Sequence, residues 1–213
     1  MSARILVINP NSDARCTAGI AAAVAPFARP GLAHFDTLRL PDGPPAIATW
    51  ADWHAVTPLL AALVAREPAA AYVIACVSDP GIDLLRSQTR APVLGALRCG
   101  VAAALARAER FGLVAFVEAS KQRQRRVLQA MGVEGRLAGQ VALDLPMATL
   151  LDPQAPRARL AEVGRQLAGM GAEVLVLGCA GLAAHRGYLE ATIGLPVIEP
   201  IAAAAAAAVL AVS

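Results

Sequence analysis

The sequence predicts an α/β protein built from two similar halves, each with a parallel sheet. Three observations favour this fold class. Short apolar runs alternate with segments of helical periodicity along the chain, which is typical of parallel sheets covered by helices on both faces. The chain is 57% hydrophobic but only 4% aromatic, so its apolar residues are mostly Ala, Leu, Val and Ile. The order of motifs in the first half also recurs in the second.

Turn residues and apolar periodicity assign the elements of the first half. Asn9 and Pro10 end the first apolar run, and a Pro/Gly-rich loop at 41–45 follows the second. Asp79 and Pro80 are expected to open a helix as its N-cap and first residue. The predicted strands are 4–8, 34–40, 71–75 and 92–95, and the predicted helices are 13–25, 51–66 and one beginning at 79–80.

The pattern then starts again in the second half. The predicted strands are 111–117, 135–144, 173–177 and 196–198, and the predicted helices are 119–131, 156–169, 185–192 and 201–212. The expected N-terminal lobe comprises 1–96 with 200–213, and the C-terminal lobe comprises 97–199.

The repeat places one cysteine at the same point of each half. Cys76 ends an apolar run and is followed 16 residues later by Pro92, while Cys179 ends a similar run and is followed 17 residues later by Pro196. Ligands of open α/β sheets bind outside the carboxyl ends of strands. If the two pseudo-symmetric lobes face each other, both thiols flank one cleft.

Composition excludes several classes of function. The 213 residues carry a net charge of +3, and the densest basic run, 121–126, has helical spacing and is interpreted as a solvated helix face, so nucleic acid is not an expected partner. The longest apolar run, 201–212, is too short to cross a membrane. With no secretory signal after Met1, we expect a cytoplasmic protein, and the high hydrophobicity favours a homo-oligomer.

The two cysteines are candidates for acid and base groups on opposite sides of one carbon. One thiolate would remove a proton from a carbon acid while the other thiol returns one to the opposite face, which inverts the centre without metal or organic cofactor. Both precede a helix start, which is expected to lower a thiol pKa. The alternative is that both are buried structural residues, but the repeat favours function.

The remaining candidate residues are weaker. Cys16 and Cys99 are interpreted as packing residues, and the three histidines form no metal-ligand pattern, so no metal is expected. Asn9-Pro10-Asn11-Ser12 is placed to hold a substrate carbonyl or carboxylate, although Ser12 or Asp13 would cap the helix in either case. Backbone N–H groups around Ser78 could hold an enolate oxygen. The chain lacks a Gly-rich phosphate loop.

These motifs together resemble the Asp/Glu/hydantoin racemase superfamily, and within it the hydantoin racemase branch that includes allantoin racemases. The resemblance covers nearly the whole chain. It rests on Ile5–Ser12 with Thr17, Ala75–Gly81, Leu177–Leu182 and Pro196–Glu199. It implies two Rossmann-like lobes with the active site in the cleft between them, and cofactor-independent racemisation of a small molecule by Cys76 and Cys179.

The resemblance also implies the positions that hold the substrate. They are Asn11, Ile47, Val77, Ser78, Gly178 and Ala180, and we expect Ile47, Trp50 and Phe116 to form an apolar rim. The chain departs from the usual pattern at Ala115-Phe116, where hydroxyl residues are common, and at Ala46-Ile47-Ala48, where Ser-Ile-Glu is usual. Glu199 stands where Asp is usual.

Three readings of the function stay open. The leading one is a racemase of 5-substituted hydantoins or allantoin. The second is a maleate-type cis–trans isomerase or an enzyme like the arylmalonate decarboxylases, which tend to carry Tyr at the position of Phe116. The third, from another class, is a small-ligand binding module without catalysis, because fold alone does not determine function.

Overall fold

The computed structural model describes residues 2–213 and contains two four-stranded parallel sheets. The strands are β1 Ala3–Asn9, β2 Ala33–Arg39, β3 Ala71–Ile74, β4 Val93–Gly95, β5 Phe111–Ala115, β6 Leu137–Ala142, β7 Val174–Gly178 and β8 Val197–Ile198. The helices are α1 Ala14–Val24, α2 Trp50–Arg66, α3 Ile82–Gln88, α4 Ala96–Leu105, α5 Glu118–Ala130, α6 Met147–Leu150, α7 Arg157–Gly169, α8 Arg186–Ile193 and α9 Pro200–Ala211.

Both sheets have the same topology. The strand order is β2-β1-β3-β4 in the first sheet and β6-β5-β7-β8 in the second, and every pair of neighbours is parallel. The predicted fold class and its two similar lobes are therefore confirmed. β3 and β7 occupy equivalent positions in their sheets, and each leads directly to the segment that carries one of the two cysteines.

Alternate residues of the central strands enter two different cores. In β1, Ile5 and Val7 join a central core, while Leu6 and Ile8 face the helices α2 and α3. β5 and β7 divide their side chains in the same way between the central core and an outer core of the second sheet. The central core joins both sheets through α1, α4, α5 and α9. Because it is continuous, the lobe boundaries at 96/97 and 199/200 remain a prediction.

The structure shows one of the two helix caps that the sequence predicts, and a further cap at Glu199 that was not predicted. Asp13 caps α1 by accepting from Cys16 N at 2.8 Å, and Glu199 caps α9 by accepting from Ala202 N at 2.6 Å. Asp79 does not cap the helix that follows it. That helix, α3, begins after Gly81, which is in the left-handed region at φ 69°.

The carboxylate of Asp79 instead caps a helix from another part of the chain. It accepts from Leu97 N at 2.8 Å and Arg98 N at 3.1 Å, and pairs with the Arg98 guanidinium at 3.0 Å. These are the first residues of α4, an element that the sequence patterns did not assign. The residue before α4 is Gly95, which has no side chain to supply a cap, and a Cβ there would overlap the Asp79 carboxylate.

No helix within residues 2–213 has both the length and the apolar character to cross a membrane.

Candidate active site between the two sheets

A pocket lies where the carboxyl ends of β1 and β3 face those of β5 and β7. It is a cleft with about 430 Å³ of space between atoms, part of which is open to solvent. Nine of the ten residues predicted for the site line it, all except Trp50: Asn11, Ile47, Cys76, Val77, Ser78, Phe116, Gly178, Cys179 and Ala180. The fold thus brings them together in one cleft between the lobes, and their individual roles remain predictions.

Cys76 lies in the turn after β3. Its Sγ is 3.5 Å from Ser78 Oγ, and its carbonyl accepts from Asp79 N at 3.0 Å, which closes the turn. Ser78 is buried, and its own carbonyl accepts from Trp53 Nε1 at 3.1 Å. Burial raises the pKa of the Cys76 thiol to about 11, and the Ser78 hydrogen bond offsets part of that rise.

Cys179 lies at the end of β7 and is 8% exposed. A 3-10 turn, Ala180–His185, follows it, and the Cys179 carbonyl accepts from Leu182 N at 3.1 Å. Burial raises the pKa of this thiol strongly, and the nearby Cys16 acts in the same direction.

The expectation that helix starts lower both thiol pKa values is therefore wrong. The α-helix after Cys76 begins only at Ile82, and the turn after Cys179 is a 3-10 helix that is followed by α8 at Arg186. The helix dipole acts over little more than one turn. Desolvation of the thiolate by the apolar walls is the larger effect at both positions.

A network of amides fixes the polar end of the pocket. Asn9 Nδ2 donates to Asn11 Oδ1 at 2.8 Å and to Thr17 Oγ1 at 2.9 Å, and Asp13 N donates to the same Asn11 oxygen at 3.0 Å. With its oxygen engaged twice, Asn11 can offer its Nδ2 as a donor toward a ligand. That nitrogen already lies 3.7 Å from Cys16 Sγ. Cys16, which was expected only to pack, thus lines the pocket as a third thiol.

Gln124 bridges the two walls of the pocket from α5. Its Nε2 donates to Val77 O and to Gly178 O, each at 3.0 Å, and its Oε1 accepts from Gln140 Nε2 at 2.6 Å. Val77 follows the first cysteine and Gly178 precedes the second. A single side-chain nitrogen therefore joins the backbone segments that carry both thiols.

Arg123 is also buried at this site, although the run 121–126 was interpreted as a solvated helix face. Arg125 and Arg126 are exposed, but Arg123 is 1% exposed and Gln124 is 1% exposed. The burial of Arg123 and Gln124 could have been predicted from the helical spacing, because they lie four residues before the buried Val127 and Leu128.

Trp50 does not form part of the apolar rim. It lies outside the pocket, with its ring 5.8 Å from that of Trp53 and 5.9 Å from Arg123 Cζ. Ile47 and Phe116 do line the pocket, each 7% exposed. Met147 of α6, which the sequence did not single out, lines the same pocket.

Comparison with known proteins agrees with this architecture. Residues 5–208 match the family model described as Asp/Glu/Hydantoin racemase. A protein from Rhizobium meliloti named hydantoin racemase is 34% identical over 205 residues, and the match covers 94% of this chain and 85% of that protein.

Solved structures extend the likeness to the whole fold. An allantoin racemase from Klebsiella pneumoniae superposes with a TM-score of 0.88 at 28% identity, covering 97% of this chain and 86% of that one. An allantoin racemase from Pseudomonas fluorescens gives a TM-score of 0.90 at 23% identity, covering 96% and 88%, which supports the fold. The chain therefore belongs to the Asp/Glu/hydantoin racemase family, and the relatives named here are racemases, a class of isomerase.

Proposed function

We propose that the protein racemises 5-substituted hydantoins or allantoin by two-base proton transfer between Cys76 and Cys179. The observation that carries the proposal is positional. The two thiols follow equivalent strands of two sheets with the same topology, and both line one pocket. Proton transfer to either face of one carbon needs this opposed arrangement of an acid and a base.

In the proposed reaction, one cysteine acts as a thiolate and takes the proton from C5 of the ring. The electron pair of the C–H bond moves into the adjacent carbonyl and forms an enolate. The opposite thiol then donates its proton to the other face of C5: the enolate C=C pair forms the new C–H bond, and the enolate oxygen re-forms the carbonyl. The product is the mirror-image substrate, and the two cysteines have exchanged protonation states. The step needs neither a metal nor an organic cofactor.

The pocket offers donors for the enolate and apolar walls for the substituent. The developing oxygen charge would be held by Asn11 Nδ2, the Ser78 hydroxyl and the backbone N–H groups beside the cysteines. Such hydrogen bonds stabilise charge most strongly where water is excluded. Ile47 and Phe116 would contact the 5-substituent. The exclusion of water from these walls also raises both thiol pKa values, and this brings them nearer to that of a weak carbon acid.

We also propose a cytoplasmic homo-oligomer that acts on a free small molecule rather than on nucleic acid. The modest net charge of +3 supports a small-molecule rather than a nucleic-acid partner, and the 57% hydrophobic composition supports buried subunit interfaces.

Proton NMR in D₂O tests the reaction. Each enantiomer of benzyl-, isopropyl- and methylthioethyl-hydantoin and of allantoin would be incubated with the enzyme, with loss of the C5–H signal and of optical rotation as readouts. We expect racemisation by the wild type and a loss of at least about 10³-fold in Cys76→Ser and in Cys179→Ser, because a hydroxyl is a far weaker acid than a thiol.

Cys99→Ser is the matched control, because Cys99 lies outside the pocket and undergoes the same chemical change. It should retain wild-type activity. Full racemisation by either pocket variant would refute the two-thiol mechanism. Absence of exchange with every hydantoin and allantoin would refute the substrate class, and turnover of maleate or an arylmalonate would then favour the alternative enzymes. Ligand binding that survives both substitutions, without turnover of any substrate, would favour a binding module.

A further inference from the structure

Arg123 places a positive charge against the pocket wall. It is 1% exposed and lines the cavity together with Cys76 and Cys179. Its two terminal nitrogens are engaged by backbone: Nη1 donates to Ala119 O at 3.1 Å, and Nη2 donates to Ala48 O at 3.0 Å and to Ile47 O at 3.3 Å. Its Nε–H, in contrast, is buried with no hydrogen-bond partner within residues 2–213.

The charge also forms no direct ion pair within the described residues, although Asp52 attracts it from a greater distance. No Asp or Glu lines the pocket, and none of the ion pairs formed within residues 2–213 includes Arg123. Asp52, at the start of α2, is engaged by Ala48 N at 3.0 Å and Thr49 N at 2.7 Å as part of a capping box. Neutral carbonyl groups therefore provide all the hydrogen bonds that the guanidinium makes.

A purely structural role does not account for this arrangement. The bonds to the 47–48 loop hold that loop against α5, but a neutral donor such as Gln could make them without burying a charge. Burial of an unpaired charge is strongly unfavourable, and an unsatisfied N–H adds to that cost. Such a group is compensated when a ligand brings an anion to it.

We propose that Arg123 determines substrate specificity by binding a carboxylate on the substrate, so that the preferred substrates are hydantoins with an anionic 5-substituent. This inference rests on the proposed racemase function. The substituent carboxylate would pair with the guanidinium where Arg123 lines the pocket and neutralise its charge, while the ring lies between the thiols. Arg123 alone would thus give the otherwise apolar rim its affinity for a charged substituent.

The test compares two substrates of the same shape. Hydantoin-5-acetate and hydantoin-5-acetamide differ in charge but hardly in size, and kcat/KM for racemisation of each would be measured with wild type, Arg123→Met and Arg123→Lys. We expect the wild type to prefer the acetate by about 10- to 100-fold, the value of a buried charge-assisted hydrogen bond. Arg123→Met should reduce that ratio to about one, and Arg123→Lys should keep a preference for the acetate.

Arg126→Met is the matched control, because it removes the same charge from an exposed position of the same helix. It should leave the ratio unchanged. A wild-type ratio near one would overturn the inference, as would equal losses for both substrates in Arg123→Met, since those would place the cation at the reacting centre instead. Racemisation of neutral hydantoins would meanwhile uphold the proposed function.

If no hydantoin is racemised, the proposed function fails and binding decides the inference alone. Calorimetric Kd values for the acetate and the acetamide would then be compared in wild type and Arg123→Met. Preference for the acetate that depends on Arg123 supports the carboxylate site, and equal Kd values refute it.

Discussion

Burial of the two thiols determines how the proposed reaction depends on pH. The Cys76 pKa is raised to about 11 and that of Cys179 is raised further, so both side chains are overwhelmingly thiols near neutrality. The acid is thus always available, and the scarce species is the thiolate base. The nearby positive charge of Arg123 lowers the Cys76 pKa against this trend.

We therefore expect kcat/KM to rise about tenfold per pH unit between about pH 7 and 8.5, below the ionisation of the hydantoin imide, because the thiolate fraction rises in that proportion. Initial rates of racemisation across that range would check this, with activity re-measured at pH 7.5 after each incubation to confirm that the enzyme is intact. A plateau near pH 8 would contradict the raised pKa.

The residues of the site differ in how visible they are in the sequence. Cys76 and Cys179 were predictable because a repeat marks equivalent positions in two lobes. Arg123 and Gln124 were not assigned, because charge and polarity suggested a solvated face, whereas their contacts are made with loops far away in the chain. Gln124, for example, bonds to Gly178 O across 54 residues of sequence.

At the scale of elements, α4 shows why a helix can escape sequence analysis. A local N-cap is the usual signal for a helix start, but the cap of α4 is Asp79, 18 residues before Leu97. Asp79 itself adopts φ 48°, in the left-handed region, and its carboxylate bonds to α4 rather than to the start of α3. The turn that carries Cys76 is in this way tied to the start of α4.

Asp79→Ala should lower the free energy of unfolding by about 3–5 kcal/mol, because it leaves Arg98 and two helix N–H groups without their partner. Urea denaturation followed by circular dichroism would measure this. Asp83→Ala is the control, an exposed acidic residue in the first turn of α3 whose loss should cost less than about 1 kcal/mol. Equal, small losses for both variants would show that the Asp79 contacts do not stabilise the fold.

At the scale of the whole molecule, the central core makes the two lobes interdependent. Its side chains come from β1 and β3 of one sheet and from β5 and β7 of the other. The strand–helix alternation and the repeat were sufficient to predict two parallel sheets. They were not sufficient to predict the shared core, because periodicity shows that a face is apolar but not which other face it contacts.

We expect a single cooperative unfolding transition as a result. Both tryptophans, Trp50 and Trp53, lie in α2, so fluorescence reports on the N-terminal lobe while circular dichroism at 222 nm reports on both. The two urea curves should coincide in midpoint. Separate midpoints would mean that the lobes unfold independently in spite of the shared core.

The bridge formed by Gln124 limits how thick a ligand the pocket can admit. The carbonyls of Val77 and Gly178 share one nitrogen, so the two walls cannot separate without breaking at least one of these bonds. Each buried group left unsatisfied costs about 1–3 kcal/mol. A slender, planar ring enters without that penalty, whereas a bulky saturated ring would incur it. We therefore expect the pocket to favour flat molecules, because a single amide nitrogen sets the separation of its walls.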